Sequence, residues 1–135
     1  LTNHQKRDNI LLLVEALLQE IAIEKSTTKR LKTLQSIAEK LTGTSHSHGN
    51  LTQRLYLAIK RLSELNYNAR WEAHPETPKI ILGNCPYSSI IHNHPEICLI
   101  DKYLIEGLLT TTVAQETKLS RDDRGYSSCL FNIGR

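Results

Sequence analysis

The apolar residues of this chain change their period once, between Leu65 and Asn68, and that change limits what the chain can fold into. Before it, apolar positions recur every three or four residues; after it come short runs with strand character. In the first part, Ile10, Leu13, Val14, Leu17, Leu18 and Ile21 predict a helix through about Glu24, with Thr2 and Gln5 as a capping box. Ser26, Thr27 or Thr28 can cap a second helix, whose Leu31, Leu34, Ile37, Ala38 and Leu41 form one stripe ending at Gly43. The loop "GTSHSHGN" (43–50) leads to a third helix from near Thr52, with Leu55, Ala58, Ile59, Leu62 and Leu65 facing inward.

Past the change, "NARWEAH" and "KIILGNC", separated by "PETP", read as a hairpin. A short helix is expected after Cys85–Pro86. A longer one follows to about Leu109, with Asn93 as cap and Pro95 in its first turn. "TTVAQETKLS" and "YSSCLFNIG", joined by "RDDRG", form a second hairpin. The predicted order is α-α-α-β-β-α-α-β-β. This is the α+β class: an N-terminal arm of about three helices, then a small antiparallel sheet with helices packed on one face. The boundary between arm and sheet domain is placed at residue 50.

With 135 residues the chain can bury a core unaided. Its longest apolar stretch is interrupted by Glu15, Glu20 and Glu24, far short of the ~20 apolar residues of a membrane span. No signal-peptide pattern is present, and a chain that opens at Leu1 without any methionine reads as a fragment of a longer protein. Three cysteines, none in a CxxC pair, do not make a secreted disulfide framework, so a reducing, cytoplasmic setting is expected. Charge is uneven: residues 1–70 hold 11 Lys/Arg against 6 Asp/Glu, and residues 71–135 hold 6 against 8. The basic run "KSTTKRLK" (Lys25, Lys29, Arg30, Lys32) is either a solvated helix start or a phosphate-contacting patch.

The densest chemistry lies in "GNCPYSSIIHNHPEICLID" (83–101), with two cysteines and two histidines. Scattered cysteines are most often small buried hydrophobes. Against that, Cys85 sits at a strand end, Cys98 near a helix start, where thiolate is favoured, and Cys129 in the last strand. His94 and Cys98 are four apart, a ligand spacing on a helix, but Pro95 pushes His94 out of the α region. His92 has no such relation to Cys85, and His46 and His48 sit in a Ser/Gly loop that is expected to face solvent. A nucleophile pair from Cys98 and His94 would lack both a Gly-rich turn and an orienting third group, and GxSxG, P-loop, GxGxxG and HExxH motifs are missing. No enzymatic activity is expected. Residues 31–85 also have the outline of a winged helix-turn-helix, which would bind DNA. The connection from Leu41 to Leu51 is long for that motif, and Gln53, Arg54, Lys60 and Arg61 are its few base-reading candidates.

The run "NCPYSSIIHNHPEICLID…LIEGLL", closed by "GYSSCLFNI", resembles the C-terminal effector domain of SufR-type, ArsR-like bacterial transcriptional regulators. "LLLVEALLQE", "RLYLAIKRLSELNYNARWE" and "KIILGNCP" extend the resemblance over nearly the whole chain. It implies that residues 1–50 are a dimerisation or linker arm and 51–135 a cluster- or metal-sensing effector domain. DNA would be bound only through an N-terminal winged-helix domain absent from this chain, and the protein would be a homodimeric repressor-type regulator. It further implies an iron–sulfur cluster on Cys85, Cys98 and Cys129. A cysteine-only cluster needs a fourth thiolate that is missing here, so His94, Glu96 or a small external ligand would complete it. The same trio with His94 would suit zinc, and an effector domain binding a small molecule without a cluster is the remaining alternative.

Overall fold

The computed structural model describes residues 3–43, 49–121 and 127–134, with side chains for 9–43, 49–116 and 128–134. The Thr2–Gln5 capping box, His46, His48 and the tip of the second hairpin lie outside them. Helix α1 spans Asn3–Ala22, α2 Thr27–Thr42 and α3 Leu51–Glu64. Strands β1 (Ala69–Glu72) and β2 (Lys79–Leu82) follow, then α4 (Ile97–Leu109), β3 (Val113–Arg121) and β4 (Ser127–Ile133). The fold is α+β, three helices preceding a four-stranded antiparallel sheet of order β1-β2-β4-β3. None of the described helices is long and apolar enough to cross a membrane.

Local chemistry sets the helix ends. Ser26 caps α2, its Oγ accepting from Lys29 N–H at 3.3 Å, and Gly43 ends it at φ 74°, a backbone state that suits glycine. Helix α3 begins with a reciprocal capping box that the sequence reading missed. Gln53 N–H donates to Asn50 Oδ1 at 2.9 Å, while Asn50 N–H donates to Gln53 Oε1 at 3.0 Å.

Sheet register places the core. Ile80 pairs with Phe131 and Leu82 with Cys129, so these side chains share one face. Leu104, Ile105 and Leu109 of α4 cover that face, joined by Leu55 and Leu62 of α3. Leu34 and Ala38 of α2 belong to the same core. α2 thus packs into the body that holds the sheet. The β1–β2 hairpin is not a free wing either, because β2 pairs with β4 on its other side.

Two expectations change. Residues 86–93 form a succession of turns instead of a regular helix, held mainly by i→i+3 bonds such as Ser88 N–H to Cys85 O and His94 N–H to Ile91 O. Pro86 removes a donor at one end and Pro95 restricts the backbone at the other, leaving too short a segment to repay helix nucleation. The next helix starts at Ile97, not near Asn93, and Glu96 occupies its cap position without a side-chain capping bond. His94 therefore precedes the helix, and the helical spacing of His94 to Cys98 does not apply.

Candidate functional site

Three elements bring the cysteines toward one region. Cys129 lies on the helix-covered face of β4, opposite Leu82, the last residue of β2. Cys85 follows three residues later, where the chain leaves the sheet, and its course there is pinned by backbone bonds. Gly83 N–H donates to Asn68 O and Asn84 N–H to Tyr67 O, both at 3.0 Å. The approach at Gly83 is close: a Cβ there would stand 3.1 Å from the Asn68 carbonyl oxygen and 3.0 Å from its side-chain nitrogen. Cys98 is the second residue of α4 and packs with Cys85, Ile90, Ile91, Ile97 and Leu18. All three cysteines are buried, and none is in a disulfide.

Electrostatics ties these groups together. Burial pushes the Cys85 thiol up to about 11, and the negative forms of Asp101, Cys129 and Cys98 push the same way. The Tyr87 N–H, hydrogen-bonded to the Cys85 sulfur, works in the opposite direction. At neutral pH Cys85 is therefore a protonated thiol. A cationic centre among these groups would reverse that balance, since bound metal holds sulfur as thiolate.

Asp101 is the group that the sequence reading missed. It is 3% exposed on α4 and accepts a 2.5 Å hydrogen bond from the Tyr67 hydroxyl. Burial raises its carboxyl to about 7, with the Tyr67 bond pulling down. Tyr67 and Tyr87 pack edge to face at 6.1 Å, and burial pushes both phenols upward. A signal for Asp101 existed in the sequence: Ile97, Cys98, Leu104 and Ile105 stand three and four positions either side of it, so it lies in the apolar stripe of α4.

His94 is 5% exposed and held between carboxylates. Its Nδ1 lies 3.4 Å from Glu96 Oε1 and its Nε2 4.0 Å from Glu15 Oε1 on α1. The Glu96 approach lacks hydrogen-bond geometry, and that buried Oε1 has no hydrogen-bond partner. His92 is exposed. Among the described residues no group of three or more His, Cys, Asp or Glu is arranged to hold a metal ion. Sulfurs on one tetrahedral ion, each bonded at about 2.3 Å, must crowd within about 4 Å of one another. A single zinc ion on these residues would therefore need the strand end and the α4 start to move together.

Comparison with known proteins leaves the chain to be read from its own residues: no family model matches it, and no curated protein matches its sequence.

Proposed function

We propose that this chain is the ligand-sensing and dimerisation part of a transcriptional regulator, in which Cys85, Cys98 and Cys129 hold an iron–sulfur cluster. The observation that carries the reading is the placement of three buried cysteines: Cys85 and Cys98 share one packing cluster, and Cys129 pairs with the last residue of β2, a soft donor set near the end of that strand. Glu96, whose buried Oε1 has no hydrogen-bond partner and lies 3.4 Å from His94 Nδ1, is the candidate for the fourth position. Such a centre supplies reversible electron or ligand exchange when bound. The chain's own residues do the rest: Cys85 reports to β2, Cys98 to α4 and Cys129 to the central sheet, while Leu18 and the His94–Glu15 contact link that region to α1.

Helix α1 supports a dimer role. Its Ile10, Leu13 and Leu17 form an exposed stripe at 62, 61 and 56%, the pattern of a helix awaiting a partner, here a second copy. DNA binding would come from a winged-helix module outside this chain. Anaerobic reconstitution with iron and sulfide is expected to give a brown cluster absorbance that disappears in Cys85→Ser. Colourless protein without bound iron would overturn the proposal.

A further inference from the structure

A second binding site borders the thiol cluster, sharing Leu18, Ile90 and Ile97 with it, at the seam between α1, α2 and α4. It is a hollow of about 280 Å³, just under the range of small-molecule sites. Its walls are almost wholly apolar: Leu18 and Ile21 of α1, Ile37 and Leu41 of α2, and Ile90 and Ile97 from the segment before and into α4. The hollow is open on the side of exposed Leu17, so a ligand can enter it from solvent.

The hollow continues into a larger cleft along α1 and α2, sharing Leu17, Ile21 and Ile37 with it. This cleft is lined by Lys29, Arg30 and Lys32 together with Glu20 and Glu24. Two of these charges are engaged locally. Glu24 Oε1 accepts from Ser26 N–H at 3.1 Å, and the Arg30 guanidinium donates to the Glu24 carbonyl and the Thr27 hydroxyl. The cleft thus carries three cationic groups against two carboxylates, with Lys29 and Lys32 reaching solvent beside the first turn of α2, which contains no acidic residue. An apolar slot that opens onto a cationic mouth matches one kind of small molecule.

We infer that this slot binds a single-chain alkyl carboxylate, its chain between α1 and α2 and its head at Lys29 and Lys32. The basic run that opens α2 then has a ligand to meet, and the site needs no cysteine.

Decanoate is the probe, titrated calorimetrically into the full chain, with decanol and inorganic phosphate in parallel. Saturable binding of one decanoate per chain is expected, with decanol weaker by about fivefold, the scale of one or two exposed charge contacts. Phosphate alone should not bind measurably. Lys29→Glu with Lys32→Glu, both exposed, should weaken decanoate without touching the core, and Ile37→Trp should fill the slot and abolish binding. Cys85→Ser should leave binding unchanged, which separates this site from the proposed cluster. Unsaturable binding, equal affinity for decanol and decanoate, or full binding by a folded Ile37→Trp chain would each overturn the inference. So would a change of oligomeric state in Ile37→Trp without any decanoate binding to the parent, which would assign the slot to a second copy.

Discussion

The cluster under the sheet and the cluster around Cys85 and Cys98 are built from different materials. Under the sheet, regular elements meet on all sides: Leu62, Leu104, Ile105, Leu109 and Phe131 are completely buried, drawn from α3, α4 and β4. Around the cysteines, the buried set is Leu18, Cys85, Ile90, Ile91, Ile97 and Cys98, half of it from outside the helices and strands. α1 supplies that smaller cluster with one buried side chain, while Ile10, Leu13 and Leu17 stay in solvent. Local stability follows buried apolar contact and regular hydrogen bonding, so the second region is the one that can rearrange at low cost. Both proposed ligands sit there or at its border, as expected where a binding event must alter packing.

Substitutions can break or sharpen this contrast. Phe131→Ala, at the centre of the sheet-side core, should cost about 3–5 kcal/mol in urea unfolding. Asp101 tests the seam between the clusters by pH. Its carboxyl moves from 3.8 to about 7 on folding, so the folded state holds the proton more tightly and stability falls as pH rises from about 4 to about 7. That loss is at most about 4 kcal/mol, at about 1.4 kcal/mol per pKa unit. Asp101→Asn, which keeps an acceptor for Tyr67, should flatten the dependence; melting temperatures across that range check it. An unchanged slope in the variant would place the titration elsewhere.

Smaller effects follow in the second cluster. Leu18→Ala should cost about 2 kcal/mol, the lower end for a buried leucine, because its surroundings are free to collapse. A loss equal to that of Phe131→Ala would erase the distinction between the regions. Asn50→Ala removes one half of the α3 capping box and should cost about 1 kcal/mol by thermal unfolding, with the thiol region unaffected.

Much of the fold was legible residue by residue. The α2 and α3 stripes were readable because helical periodicity reports burial directly: Leu34, Ala38, Leu55, Ala58 and Leu62 are all buried. A cap among Ser26, Thr27 and Thr28, of which Ser26 is the one used, Gly43 as a stop and both hairpins followed from local turn and cap chemistry. The α1 stripe was read equally well as a helix, yet its burial was not, because period says which face is apolar and not what covers it.

The candidate site was legible only in part. Cys85, Cys98 and Cys129 stood out as residues, and Pro95 already weakened the pairing of His94 with Cys98. Their approach to one another depends on strand order, since β4 joins β2 and carries Cys129 to the end of that strand. Asp101 shows the limit most clearly. A carboxylate at that position in a sequence is acidic and charged; buried under Tyr67, it titrates near 7. The sequence by itself determined the elements, their caps and the apolar faces, because those depend on neighbours within a few residues. Only the tertiary structure decided which thiols share a region, which carboxyl loses its water and where the hollow beside α1 opens. Those depend on residues far apart in the chain being brought together in a medium of low dielectric.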